Sequence, residues 1–193
     1  MSRFAGFALL LATGFAATTA HAVEIHSVDV QHDHARYRVS MRVTLDAPAA
    51  ATYAVFADLP RLREVNPAVR EVRVLETLSA DARRVFTEVR ACVSLYCRHL
   101  KQVQDMRFET RANGGRVRAQ VLPERSDFRF GDASWDFRDC AGRTCLDFDA
   151  ELEPAFWVPP LIGPWLIKRK LQEEAIETST GLERLARAPS VVP

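Results

Sequence analysis

The chain has 193 residues, with 26 Lys and Arg against 25 Asp and Glu, a formal net charge of +1. Near neutrality excludes nucleic acid as the expected partner, because phosphate binding needs a clear basic excess or stripe. The length suits one ordinary domain with a real core.

Met1 to Ala22 reads as a secretory signal. Arg3 supplies the positive start, Phe4–Ala17 is apolar and uncharged, and Ala20-His21-Ala22 is a small-x-small cleavage site. The apolar run is about fourteen residues, short of the ~18–20 that span a bilayer. Removing residues 1–22, with their single Arg, leaves 171 residues with balanced charge. The expected address is the periplasm.

After export, disulfides are the default use of cysteine. The four cysteines form two C-x4-C pairs, Cys92/Cys97 and Cys140/Cys145. Structural zinc favours tighter spacings such as C-x2-C, and neither pair is a redox C-x-x-C motif. Two local disulfides are expected, with no metal and no cofactor.

From Tyr37 the chain alternates cleanly. Tyr37, Val39, Met41, Val43 and Leu45 fall on one face, and Arg36, Arg38, Ser40, Arg42 and Thr44 on the other, a half-buried strand. Ile25–Val30 extends that strand on this reading, with His32-Asp33-His34 as a polar interruption. The two histidines could face a metal, but without a third ligand nearby a solvated bulge or turn is favoured.

Asp46-Ala47-Pro48 ends the strand, and Pro48 suits the first turn of a helix over Ala49–Ala57. A second short helix spans Arg61–Val65 and stops at Asn66-Pro67. Six strands follow: Val69–Leu78, Arg84–Ala91, Arg98–Thr110, Arg116–Leu122, Phe128–Asp139 and Cys145–Glu153. Asn113-Gly114-Gly115 is a hairpin signal. In Phe128–Asp139 the apolar parity switches around Gly131, as a β-bulge would require. In the last strand Leu146, Phe148, Ala150 and Leu152 face in, while Asp147, Asp149, Glu151 and Glu153 face out.

A helix from Pro164 to about Ala188 carries Ile167, Leu171, Ala175, Thr178, Leu182 and Leu185 on one face. Lys168, Arg169 and Lys170 crowd its first turns, the unfavourable end of the helix dipole for cations. Residues 23–188 thus form one domain, followed by a disordered tail over 189–193.

This element order is that of the α+β helix-grip fold: here, a curved seven-stranded antiparallel sheet around a long C-terminal helix. The stretch Val43–Glu76 (VTLDAPAAATYAVFADLPRLREVNPAVREVRVLE) resembles the N-terminal signature of the START-like (SRPBCC) superfamily, in its polyketide cyclase/dehydrase and coenzyme Q-binding branch. Ala47-Pro48, Tyr53, Val55-Phe56, Asp58, Asn66-Pro67 and Val72–Leu75 carry the likeness. It implies a cavity for a lipid, quinone, isoprenoid or other hydrophobic small molecule, and no shared catalytic set. Inward candidates are Met106, Phe108, Phe128, Phe130, Trp135, Phe137, Phe148, Ile162 and Trp165, although apolar residues at period two are usually plain core.

Strand parity places the Cys92–Cys97 and Cys140–Cys145 turns at opposite ends of the sheet, too far apart for cross-pairing. Parity also gathers the Cys92–Cys97 tip, the Pro123–Asp127 loop and the apolar run Ala155–Ile167 at one end. Leu95, Tyr96, Phe156, Trp157 and Leu161 would form a rim there, serving as a cavity lid or as a peripheral membrane contact with Lys168–Lys170 near anionic headgroups. Asp105, Gln102 and Gln104 face either the cavity or the outside, and His99 reads as structural. No G-x-S-x-G, phosphate loop or metal-ligand cluster is present. The expected function is a monomeric carrier or binder. The alternatives are a cyclase or dehydrase pairing Asp105 with a histidine, or a protein-interaction module using the rim.

Overall fold

The computed structural model describes residues 23–93, 96–158 and 163–188. The signal-like residues 1–22, Leu95, Leu161, Ile162, the side chain of Tyr96 and the tail 189–193 lie outside the described residues.

Eight antiparallel strands form one sheet: β1 (Glu24–Asp33), β2 (Arg36–Leu45), β3 (Val69–Ser79), β4 (Ala82–Val93), β5 (Tyr96–Arg111), β6 (Gly114–Val121), β7 (Phe128–Cys140) and β8 (Arg143–Pro154). Their spatial order is β1-β2-β8-β7-β6-β5-β4-β3. Helices α1 (Ala49–Ala57) and α2 (Leu62–Val65) lie between β2 and β3, and α3 (Gly163–Arg187) follows β8. This is the helix-grip α+β arrangement, with one strand more than the seven expected.

The extra strand comes from the polar interruption. Asp33 pairs with Arg36, so the chain doubles back through His34-Ala35 into a separate strand. His34 takes a left-handed φ of 56°, and its Nδ1 lies 2.7 Å from Asp33 Oδ1. Left-handed backbone is tolerated at single turn positions such as this one.

Period-two alternation divides the sheet by chemistry. On the inner face, Val39, Met41, Val43 and Leu45 are buried, and Met41 and Val43 oppose Phe148 and Leu146. On the outer face, a basic strand meets an acidic one. Arg38 opposes Glu151 and Arg42 opposes Asp147, and Arg42 Nη2 donates to Asp149 Oδ2 at 2.9 Å. Exposed pairs of this kind contribute little each, but opposite charges across a strand pair favour this neighbour over alternatives.

Helix α1 closes one end of the inner face. Thr52 and Thr144 share a buried 2.9 Å hydroxyl contact, and Thr144 donates to the Ala47 carbonyl at 2.6 Å. Tyr53 lies flat on β6 at Gly115, where a Cβ would come within 2.5 Å of its ring. The Asn113-Gly114-Gly115 signal therefore serves the hairpin and the seat of α1 together.

The C-terminal half of α3 is fastened more firmly than its start. Arg184 Nη2 donates to the Glu64 carbonyl at 2.6 Å, and Glu183 accepts from the Asp46 backbone amide at 2.8 Å. At the other end, two of the three cations that oppose the helix dipole are paired: Arg169 Nε donates to Glu173 at 2.8 Å, and Lys170 Nζ lies 2.5 Å from Glu174.

Candidate functional site: an apolar cavity between sheet and helix

A cavity of about 170 Å³ lies between the inner face of the sheet and α3. Strands β2, β7 and β8 provide one wall through Met41, Trp135, Phe148 and Leu152. Phe56 of α1 closes one side, and α3 supplies Leu171, Glu174, Ala175, Thr178 and Leu182. The rings are in mutual contact: Phe56 and Trp135 lie 5.0 Å apart between centroids, and Trp135 stacks on Phe148 at 5.2 Å. Such geometry is favourable between aromatic quadrupoles and leaves flat apolar surface toward the void.

Two polar side chains break this lining, both on α3. Glu174 Oε2 accepts a 2.7 Å hydrogen bond from Asn66 Nδ2, and Asn66 also donates to Thr178 Oγ1 at 2.9 Å. Asn66 is 5 % exposed, and its Oδ1 accepts from the Ala68 amide at 2.8 Å. Asn66 is placed by the end of α2, where Asn66-Pro67 turns the chain into β3. With Lys170 on the other carboxylate oxygen, Glu174 is held by donors from both sides.

Over residues 36–188 the sequence matches the family described as polyketide cyclase / dehydrase and lipid transport. The chain belongs to this family. No curated protein matches it by sequence. Solved structures share the fold. A protein from Thermus thermophilus is 18% identical at a TM-score of 0.65, over 79% of this chain and 99% of that one. The Zhui aromatase/cyclase from a Streptomyces species is 18% identical at 0.64, over 81% and 99%. A STAR-related lipid transfer protein from Xanthomonas axonopodis is 16% identical at 0.62, over 83% and 98%.

Within this polyketide cyclase and lipid transport fold, the inward candidates separate into three groups. Trp135 and Phe148 face the cavity. Phe137, Met106 and Phe108 are buried in the packed core; Phe137 lies against Tyr53 and Phe56 at 5.9 and 5.4 Å. Phe130 is on the opposite face, with the Arg36 guanidinium 4.4 Å above its ring. The physical reason is the bulge, which falls between Phe128 and Phe130 rather than at Gly131. Phe128 pairs with Pro154 on the inner side, and the strand flips before Phe130. Gly131 answers a different need, since a Cβ there would come within 2.5 Å of Val121 Cγ2.

Trp165 does not line the cavity. It is 60 % exposed, and Trp157 is 78 % exposed. Asp127 ties β5 to the end of β8: its backbone amide and side chain both bond Lys101, and its carbonyl accepts from the Ala155 amide. Nearby, the Arg98 guanidinium stacks 4.3 Å over Phe156.

Asp105 faces outward, its two oxygens held by Arg84 at 2.7 and 2.9 Å. His99 contacts Glu88 at 2.7 Å. Gln104 faces inward on β5 and donates to the Met106 sulfur at 3.6 Å. Among the described residues, no histidine lines the cavity. Sequence reasoning passed over Asn66, Lys170 and Glu174 as site residues. The available signal was a glutamate one position off the apolar face of α3, next to Ala175.

A larger hollow of about 350 Å³ lies on the outer face, between Asp29, Arg38, Asp132 and Glu151. Its polar, ion-paired walls make it a solvated groove, and the apolar cavity is the better ligand site.

Both cysteine pairs are closed as local disulfides, Cys92–Cys97 and Cys140–Cys145. This fits an oxidising compartment. No described helix is long and apolar enough to cross a membrane.

Proposed function

We propose that this protein is an exported, periplasmic binder or carrier of a hydrophobic small molecule, held between the sheet and α3. The observation that carries the reading is the cavity itself, walled by Phe56, Trp135 and Phe148 in a fold whose family includes lipid transport. Export is supported by the signal pattern of residues 1–22 and by two disulfides. An acid–base site built on Asp105 and a histidine has no support, because Asp105 is engaged by Arg84 on the outer face. That favours binding over cyclase or dehydrase chemistry.

Transfer would take place at a membrane surface. Trp157 and Trp165 are both exposed, Trp165 in the first turn of α3 with the Arg169 guanidinium 5.9 Å from its ring, and an indole ring suits a bilayer interface. Native purification from the periplasm, followed by mass spectrometry of organic extracts, tests the main reading. A recurrent apolar molecule in stoichiometric amount is expected, and its absence in repeated preparations overturns the proposal. Flotation with vesicles of anionic phospholipid tests the transfer step. A Trp157→Ala, Trp165→Ala variant that floats as well as wild type would remove it.

A further inference from the structure

We infer that the cavity recognises a single-ring molecule carrying a hydroxyl group, with Glu174 and Thr178 as the polar end of the site. The inference rests on the binding function proposed above and names the ligand class for it. Size is the first constraint. A dry cavity on the order of 150 Å³ holds one benzene-sized ring. At about 170 Å³, this cavity, which opens on one side, seats a ring with a short substituent. The walls agree, since Phe56, Trp135 and Phe148 offer flat aromatic surface.

Chemistry is the second constraint. A carboxylate accepts hydrogen bonds through roughly four lone-pair directions and donates none. Lys170 occupies one oxygen of Glu174 and Asn66 the other, and both fix the group while leaving acceptor capacity toward the cavity it lines. One turn on, the Thr178 oxygen accepts from Asn66 and keeps its own proton to donate. The pair therefore presents an acceptor and a donor side by side. A hydroxyl fits both, because it donates to Glu174 and accepts from Thr178. An ether or a quinone carbonyl can only accept, and would face the carboxylate with no proton to offer. A donor contacting an ionised group makes one of the stronger hydrogen bonds available to a ligand.

Titration calorimetry with 4-propylphenol and its methyl ether, 4-propylanisole, separates these terms, because the two differ chiefly in the donor. Wild-type protein is expected to bind the phenol about tenfold tighter, the order of one charge-assisted hydrogen bond. In Glu174→Gln, checked for an unchanged melting temperature, that ratio should fall several-fold, whereas Thr178→Val should weaken both compounds, since either oxygen can accept from the threonine hydroxyl. The wild-type comparison stands on its own if either variant misfolds. Equal affinities for the two compounds in wild type, or a ratio unchanged in Glu174→Gln, overturn the inference while leaving a cavity that binds apolar molecules. Failure to bind either compound, alongside a co-purifying long-chain lipid, overturns the ligand class but keeps the binder. Failure to bind either, with no cargo in native extracts, removes both.

Discussion

Gly181 of α3 sits against the backbone of Val65 at the end of α2, so closely that a Cβ would come within 1.8 Å of the Val65 carbonyl oxygen. The contact adjoins the Asn66 hydrogen bonds to Glu174 and Thr178, so it helps to set where the polar end of the cavity stands. A methyl group must push the two helices apart, since the obstructing atom is backbone. Gly181→Ala is expected to destabilise the fold by about 1–3 kcal/mol, despite the better helix propensity of alanine. Thermal unfolding reads this as a drop of about 2–4 °C per kcal/mol in a domain of this size. An unchanged melting temperature would show that α3 docks differently.

Filling the cavity should abolish binding without unfolding the protein. Ala175 lines the void and is otherwise buried, so Ala175→Leu places its added carbons where a ligand ring would lie. Affinity for the co-purified molecule should fall at least about tenfold, while the melting temperature holds or rises, as cavity-filling changes commonly do. Undiminished binding would place the ligand elsewhere.

The two disulfides close loops of only five residues' separation, so their effect on the unfolded chain is small. Chain-entropy reasoning assigns each about 2 kcal/mol. Thiol titration of the unfolded, unreduced protein should find no free sulfhydryl, since all four cysteines are paired. Reduction should lower the denaturation midpoint while leaving a cooperative transition. Loss of all structure on reduction would mean that the core contributes less than its packing implies.

Acid should destabilise this protein through the ion pairs of the outer face. Burial pushes the Asp136 carboxyl up, but hydrogen bonds and charge from Arg116 and Arg111 outweigh it and hold the group below the ordinary carboxylate range. A hydrogen bond from Arg36, with help from Arg38, likewise lowers Glu151. A carboxyl depressed in the folded state stabilises fully above its unfolded value, about 4, and that stabilisation is lost as pH falls through the folded value. Urea midpoints should be flat near neutrality and decline below about pH 4. In Asp136→Asn the decline should be shallower. An identical slope would take Asp136 out of the linkage.

Much of the fold can be read from local patterns, because alternation along one strand reports which face is buried. The strands containing Tyr37–Leu45 and Leu146–Leu152 declare their inner and outer sides without a partner. The single clear departure in element count, at His32–His34, has a local cause. A polar triplet reads alike as an interruption or as a turn, and only the Asp33–Arg36 pairing decides between them. Phe130 departs from its expected face for a related reason: shifting a bulge by one or two residues reverses the side chains between its expected and actual positions.

What the sequence by itself determined was therefore periodic and short-range: the strand and helix spans, the signal-like start, the local pairing of cysteines, and the likeness to the START-like superfamily. Only the tertiary structure decided which inward rings pack solid and which border a void, because residues of one parity look alike in sequence whether or not a neighbour fills the space beside them. Tertiary packing also brought Asn66 within 2.7 Å of Glu174, residues 108 positions apart. No local rule connects the stop of a short helix to the middle of a long one, yet their meeting gives an otherwise greasy cavity its polar end.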